Sequence, residues 1–522
     1  MSFSQGERFE EYELKLEVSA DQMARVRADP LLKTLLTCPP VTRKLRSIYF
    51  DTTDHILRAS GISLRVRQIG KKWIQTVKAG NAIALGVWRR TESETRVDEP
   101  EPCVKAVKQG DLRKLIERAV RNAPLRPVFE TLVRRTTHQL LASDGGEVEL
   151  ALDRGEIRAP HRRADICEVE LELKRGDPRA VFEIAELLFA SEPIRFSNAS
   201  KSEFGYRTAT EELQTLPEPM SAARIQVSEN DTVHTAFHSL VLQCSDLISR
   251  NMQVIAVSDH PEGPHQLRVA LRKLRCVIRA YQPIGENSSF KKLDTDARNL
   301  SRLVGELRDA DVLIADIVEP VAEQVPNDPG LRALGKVLRR YREKVRRRVR
   351  AGLDASWVSV FQLRLLALAE AGQDPGDAPK GENDMLAQTL NAHASSVVDA
   401  SWTRVVTNAR RLNSLSVAER HEIRKALRDL RYITHFHAPL FPKKPFGRFI
   451  ARLKLLQNVF GYLNDVALAE KLPEICAKDR DVAVQSAIGR TISWHETQAD
   501  SAWLEAKSRL RAFKKVSPFW RD

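Results

Sequence analysis

Several short segments in the first 210 residues place ionisable side chains on one strand face and bulky aliphatic ones on the other. Residues two apart in a β-strand point to the same side. In EYELKLEV, Glu11, Glu13, Lys15 and Glu17 share a face, with Tyr12, Leu14 and Leu16 between them. The same alternation groups Arg65 with Arg67, Thr76 with Lys78, Glu92 with Glu94, Glu147 and Glu149 with Asp153, and Glu168 with Glu170 and Glu172. A single such strand is an ordinary half-solvated sheet face. A whole series, backed by Leu64, Val66, Val77, Val169, Leu171 and Leu173, predicts a closed barrel with a charged lumen and an apolar outer face. Clustered carboxylates in a lumen repel one another unless cations neutralise them. A hard divalent metal such as Mg²⁺ meets that need and retains waters for a phosphate ligand. Lys15, Arg65, Arg67, Lys78 and one of Arg134 or Arg135 suit the oxygens of a polyphosphate; alternation leaves Arg134 against Arg135 open.

Two helical stretches, Asp21–Leu36 and Val104–Ala123, interrupt the strands. The polar, proline-bearing stretch 211–230 reads as a linker. From Val233 onward the periodicity is helical, broken at Pro261–Pro264, Pro326–Gly330, Gly372–Asp384 and Pro439–Pro445. This half contains a repeat. HQLRVALRKLR begins at His265 and HEIRKALRDLR at His421, an offset of 421 − 265 = 156. The same shift maps Phe290 onto Phe446, Lys292 onto Arg448, Gly305 onto Gly461 and Asp309 onto Asp465. The expected organisation is a domain over 1–210 and an all-α domain over 231–515. The latter divides into repeats at about 231–371 and 385–515, joined at Gly372–Asp384 and related by a pseudo-two-fold axis.

Each repeat carries a cationic rail. His265, Arg268, Arg272, Arg275 and Arg279 lie on one helix face, opposite Leu267, Leu271, Leu274 and Ile278. His421, Arg424, Arg428, Arg431 and His435 repeat the pattern, opposite Ile423, Leu427, Leu430 and Ile433. Like charges one turn apart destabilise a helix, so carboxylates such as Asp309 and Asp465, or a bound polyanion, must compensate. The formal net charge of +14 sits mostly here: residues 1–220 hold 36 Lys+Arg against 34 Asp+Glu, and residues 221–522 hold 47 against 35. The rails have no interleaved aromatics for base stacking, which argues against nucleic acid as the partner. The basic run Arg339–Arg350 lacks a second copy and reads as a solvated helix. No apolar run reaches the roughly 20 residues of a membrane span, and the N-terminus does not resemble a secretory signal, so the expected location is cytoplasmic. The six cysteines show no CxxC spacing and read as reduced core or near-core thiols.

With these residues in place, the first 207 residues resemble the CYTH superfamily of triphosphate tunnel metalloenzymes. Glu11–Lys15 match its ExExK motif. YFDT, SLRVR, WIQTVK, RRTESE, PVFET, VELALDRGEI, EVELEL and SKSEFGY then follow in the family's order. The resemblance is to the inorganic tripolyphosphatase branch in particular. It implies an α+β domain, an antiparallel eight-stranded tunnel with flanking helices, that hydrolyses tripolyphosphate or related triphosphates with Mg²⁺ or Mn²⁺. Glu11, Glu13, Glu170 and Glu172 would be metal ligands and, with Lys15, catalytic. Glu149 and Asp153 would lie near the metals. Lys15, Arg65, Arg67, Lys78, Arg135 and Lys201 would clamp phosphate. The duplicated H-x-x-R-x-x-x-R-x-x-R, with Gly-x-x-x-Asp about 40 residues later, resembles the CHAD domain over roughly 228–515. That implies two pseudo-symmetric helical bundles gripping long-chain polyphosphate through His265, Arg268, Arg272, Arg275, Lys292, His421, Arg424, Arg428, Arg431 and Arg448, with association to polyphosphate granules. A non-catalytic polyphosphate binder and a class IV adenylate cyclase are the competing readings. Substrate and chain length, metal identity and number, oligomeric state and cooperation between the domains stay open at this level.

Overall fold

The computed structural model describes residues 10–521 apart from 81, 85, 122, 198, 211–215, 223–224, 282–287, 371–388, 411–414 and 480. The expected joint Gly372–Asp384 lies outside the described residues. Contacts divide the chain into two units, Met1–Leu216 with Asp354–Glu370, and Pro217–Leu353 with Ala371–Asp522.

In the first unit, strands β1 (Glu10–Glu17), β2 (Val41–Asp51), β3 (Ile62–Ile69), β4 (Lys72–Ala79), β5 (Ala82–Ala84), β6 (Val87–Val97), β7 (Arg126–Leu141), β8 (Glu147–Arg158), β9 (Arg163–Arg175) and β10 (Arg195–Phe196) form one antiparallel sheet. Its order is β10-β1-β9-β8-β7-β2-β3-β4-β6-β5, and β1 also pairs with β6. That pairing closes an eight-stranded barrel. The first predicted helix is two, α1 (Ala20–Ala28) and α2 (Pro30–Leu35), because Asp29 ends one and caps the other ahead of Pro30. The second predicted helix narrows to a 3₁₀ turn at Val104–Ala106 and α4 (Gly110–Val120); a short α3 (Ile56–Ala59) precedes it in the chain. Helix α4 buries Leu112, Ile116 and Val120 against the outer side chains Leu64, Val66 and Val77. Helix α5 (Arg179–Phe189) buries one broad face, including Val181, Phe182, Ile184, Ala185, Leu188 and Phe189. Helix α6 (Lys201–Ala209) packs Tyr206 edge-on against Phe129, which stacks on Tyr49 at 4.5 Å.

The helical unit consists of α7 (Val233–Val257), α8 (Glu262–Ala280), α9 (Ser288–Val312), α10 (Glu319–Gln324), α11 (Pro329–Leu353), α13 (Leu390–Asn408), α14 (Val417–Phe436), α15 (Lys443–Ala469), α16 (Leu472–Ile475) and α17 (Val482–Phe513). Shifted by 156, Glu262–Ala280 becomes 418–436, which α14 matches, and α9 and α15 correspond likewise. Tyr281 and His437 are themselves 156 apart, and the Tyr281 hydroxyl lies 2.9 Å from His437 Nε2. A residue touches its own counterpart only near a symmetry axis, so the pseudo-two-fold runs between them.

The helix α12 (Ser356–Glu370) groups with the barrel unit, where the sequence reading had placed it in the first helical repeat. It is apolar on most faces; Ser359 Oγ accepts the Ile194 amide at 2.9 Å and Arg364 pairs with Glu186. The described part of the stretch read as a linker is held on the helical unit: Asn251 bonds both backbone groups of Met220, Lys273 donates to the Ala222 carbonyl at 2.5 Å, and Val227 N–H bonds the Phe436 carbonyl. Two of the cysteines read as core or near-core, Cys38 and Cys103, are exposed. Among the described residues no helix is long and apolar enough to cross a membrane.

Two outcomes are expected. A Cβ on Gly205 of α6 would overlap the buried Phe129 ring, so Gly205→Ala should destabilise the barrel unit by about 1–3 kcal/mol in denaturant unfolding. Burial pushes His437 down from 6.5 to about 4. Because the unfolded state takes up that proton first, the helical unit should lose on the order of 3 kcal/mol as pH falls from about 6.5 to about 4, with no further loss from this group below that. His437→Gln should flatten this part of the slope.

Candidate functional site

The barrel interior is lined by the residues that strand alternation selects. A cavity of about 710 Å³ is bordered by Glu11, Glu13, Lys15, Tyr49, Arg65, Arg67, Lys78, Arg135, Glu170, Glu172 and Lys201, among others. Register explains how they meet. Glu13 faces Glu172 and Lys15 faces Glu170 across β1 and β9, and Arg135 faces Asp153 across β7 and β8. Lys15 Nζ bonds Glu170 at 2.5 Å and lies 3.5 Å from Glu13. Lys78 pairs with Glu11, Arg90 with Glu13, and Lys201, at the start of α6, with Glu168, with Asp153 at 2.6 Å and with Glu170 at 2.9 Å. Arg135 grips Asp153 with two bonds of 2.8 and 2.6 Å and also reaches Glu170. Alternation alone left Arg134 against Arg135 open; Arg135 points inward and Arg134 is exposed on the outer wall.

Two cations break this pattern of pairing. Among the described residues no carboxylate lies within ion-pair distance of Arg65 or Arg67; Arg67 Nε donates to Ser47 Oγ at 2.9 Å, and Arg65 Nε is buried with no hydrogen-bond partner. Burial, then the charges of Arg65 and Arg135, push Arg67 down to about 9. Such a pair of adjacent, desolvated guanidiniums is relieved by an anion between them. Among the carboxylates, burial pushes Glu11 up but Lys78 and Arg90 outweigh it and hold it at about 2. Lys15, Lys201 and Arg135 likewise hold Glu170 well below the usual range against its burial, whereas burial keeps Glu168 raised.

The donor set suits a hard cation, since it is all oxygen. Carboxylate oxygens of Asp153, Glu168 and Glu170 lie within 4.8 Å of one another. Glu11 Oε2, buried on the cavity side, has no hydrogen-bond partner and lies 3.4 Å from the Arg90 guanidinium. Asp153 is fully buried behind the cavity; Glu149 is not part of its lining and is held by Gln139 at 2.7 Å. Arg90, Glu92, Glu94, Lys108 and Lys174 also border the cavity, and Glu168 pairs with Lys201, beyond the residues expected from the sequence. Parity held the signal for Arg90 and Lys174, since 90, 92 and 94 share a face, as do 170, 172 and 174.

In the helical unit the two rails face one another, and the charges of Arg268, Arg428 and Arg424 all bear on Arg272. Arg268 donates to the Gly305 carbonyl at 2.7 Å and to Asp309 at 3.0 Å. A Cβ at Gly305 would come within 3.2 Å of that guanidinium, whereas one at the equivalent Gly461 would meet nothing within 4 Å. Arg275 pairs with Asp294, and Arg279 and Arg428 with Asp429. Arg272 and Arg424 have no ion pair among the described residues; burial and neighbouring arginines lower both, Arg272 to about 9. Arg431 lies over the Tyr432 ring. His265 is half-buried, while His421, Lys292 and Arg448 are exposed. The run Arg339–Arg350 is not simply solvated: Arg346 is buried and pairs with Asp259 and Glu343, and Arg350 pairs with Asp259.

Comparison with known proteins agrees with this division. The inorganic triphosphatase of Haemophilus influenzae is 29% identical over 172 residues, covering 33% of this chain and 47% of that protein. An uncharacterized protein of Mycobacterium tuberculosis is 25% identical over 426 residues, 75% of each chain. The crystal structure of the CHAD domain from Ricinus communis aligns with 56% of this chain and 97% of its own, at 20% identity and a TM-score of 0.48. Residues 10–206 match the model of the CYTH domain and residues 240–473 that of the CHAD domain. The chain therefore carries a CYTH domain followed by a CHAD domain.

Proposed function

We propose that the barrel hydrolyses inorganic tripolyphosphate or a related triphosphate with a divalent metal, Mg²⁺ or Mn²⁺, and that the helical unit binds polyphosphate through its two rails. The observation that carries the first part is the pair Arg65 and Arg67, buried guanidiniums with no carboxylate within ion-pair distance among the described residues, on a cavity where Lys15, Lys78, Arg90, Arg135, Lys174 and Lys201 each hold one. The relationship to an inorganic triphosphatase supports it.

On this reading Arg65 and Arg67 receive the phosphate oxygens first. Lys15, Lys78, Arg135 and Lys201 exchange carboxylate contacts for phosphate contacts. Glu11, Glu13, Glu170 and Glu172 hold the metal, with Asp153 and Glu149 behind them, and a carboxylate freed of its lysine orients the attacking water. The metal supplies charge neutralisation on the phosphoryl oxygens. Because phosphoryl transfer asks mainly for positioning and charge stabilisation, a lumen of fixed ion pairs is a suitable scaffold. In the helical unit, Arg272 and Arg424 are rail residues without an ion pair among the described residues, and burial and neighbouring arginines lower both. The cytoplasm and its polyphosphate granules are the setting this reading expects.

Phosphate release from tripolyphosphate, long-chain polyphosphate, ATP and thiamine triphosphate, each with Mg²⁺ or Mn²⁺, tests the enzyme. No release from any of them would leave a binding protein, and cyclic AMP from ATP a cyclase. Glu11→Ala and Glu172→Ala are each expected to lower release by about 100-fold or more with an unchanged circular dichroism spectrum; wild-type rates would refute the site. Arg272→Glu with Arg424→Glu is expected to weaken polyphosphate retention and lower its salt dependence by about two ions.

A further inference from the structure

The outer wall of the barrel carries a row of cations that the tunnel does not use. Lys44 on β2 lies directly opposite Arg134 on β7, and Arg134 directly opposite Arg154 on β8. All three are exposed. Directly opposed side chains on neighbouring strands stand about 5 Å apart at Cβ, so three like charges cross three hydrogen-bonded strands in a line, an arrangement that destabilises a sheet. Elsewhere on this wall cations are neutralised: Arg46 bonds Glu130 at 2.8 Å and Arg158 bonds Glu156 at 2.5 Å. Among the described residues, none of Lys44, Arg134 and Arg154 has a carboxylate within ion-pair distance. They border a hollow of about 530 Å³ whose floor includes Leu132 and Gln68.

The chemistry of the row narrows its occupant. No aromatic side chain lines the hollow, so it offers bases nothing to stack on. Strands β2, β7 and β8 are all interior to the closed sheet, so an acidic peptide finds no free edge for main-chain pairing. What remains is a narrow line of point charges, two of them forked guanidiniums, complementary to a flexible unbranched polyanion with charge at every repeat.

We infer that Lys44, Arg134 and Arg154 form an external docking track for inorganic polyphosphate, which holds a chain too long for the tunnel against the barrel's outer wall. This rests on the reading of the protein as a handler of phosphate chains. Tripolyphosphate held in the tunnel has no length left to reach the track, so the row acts on long chains alone.

The test is the triple variant Lys44→Gln, Arg134→Gln, Arg154→Gln in the full chain, with unchanged melting as the folding control. Retention of long-chain polyphosphate should show a salt slope lower by about three ions, and the KM for long chains should rise about threefold or more. The kcat and KM for tripolyphosphate should stay at wild-type values. Wild-type retention that the triple substitution leaves unchanged overturns the track alone. A changed tripolyphosphate KM overturns it too, since the row would then act on the tunnel. A slope change for duplex DNA with polyphosphate unmoved assigns the row to a different partner and overturns it. A wild-type protein that retains no polyphosphate at any salt concentration removes the broader reading and the track together.

Discussion

A charge taken out of water into a closed barrel must meet its opposite, and most of the first unit follows from that constraint. Desolvating a carboxylate or an ammonium costs several kcal/mol even after relaxation, and removing one member of a buried pair leaves the other uncompensated. The strands accordingly supply both signs in register. Glu170 alone is shared by Lys15, Arg135 and Lys201. Helix α6 closes the account geometrically, because Lys201 at its first turn reaches three carboxylates while Tyr206, further along, bonds the fully buried Asp51 at 2.8 Å. Asp51 in turn accepts the backbone N–H groups of Thr52, Leu57 and Arg58, so the ion network and the local turn after β2 share an anchor. Against this background Arg65 and Arg67 stand out, because they meet the Tyr49 and Ser47 hydroxyls rather than a carboxylate within ion-pair distance.

The helical unit meets a related constraint, since burial and neighbouring arginines bear on Arg272 and Arg424 as well. Arg268, Arg275 and Arg279 take a carboxylate from another helix and Arg428 takes Asp429 from its own, whereas Arg272, Arg424 and Arg431 have no ion pair among the described residues. Duplication was followed by divergence at one telling position. Lys273 and Asp429 are equivalent by the offset of 156, yet Lys273 is buried and holds the Ala222 carbonyl, whereas Asp429 gathers Arg279, Arg404 and Arg428. One copy uses the position to fasten the incoming chain and the other uses it to steady the rails.

Much of this was legible from alternation and spacing, because period two fixes which strand residues share a lumen and the gapless offset fixes which helices correspond. Legibility failed where a local pattern was ambiguous or a partner came from far away. Of two consecutive arginines at 89 and 90, parity with Glu92 and Glu94 marks Arg90 as the inward one, but its partner Glu13 lies 77 residues away in the chain. Glu149 has the right parity, but the β8–β9 pairing shifts register between Glu147 and Val148, and Gln139 and Lys174 hold the carboxylate outside the cavity lining. The run Arg339–Arg350 looked solvated because its counter-charges, Asp259 and Glu306, lie on other segments. The helix α12 was misplaced for a similar reason: apolar on most faces, it carries no stripe that names the surface it will cover.

That helix bears on the tunnel through the barrel's seam. The barrel closes where β1 pairs with β6, and there Glu11 lies opposite Arg90 and Tyr12 opposite Arg89. Alternation sends Glu11 and Arg90 inward and Tyr12 and Arg89 outward. On the outside, Glu370 at the end of α12 pairs with Arg89 at 3.3 Å, and burial followed by the Glu370 charge raises the Tyr12 phenol. The seam is therefore clamped on both faces, by carboxylate–cation pairs within and by a buried glutamate without. Glu370 is 281 residues from Arg89 in the chain, so a barrel cut off at residue 216 would keep every lumen residue and lose the outer clamp. The position of Glu11, and with it the geometry of its cavity-facing oxygen, thus depends on a helix that the sequence places in the middle of the other domain.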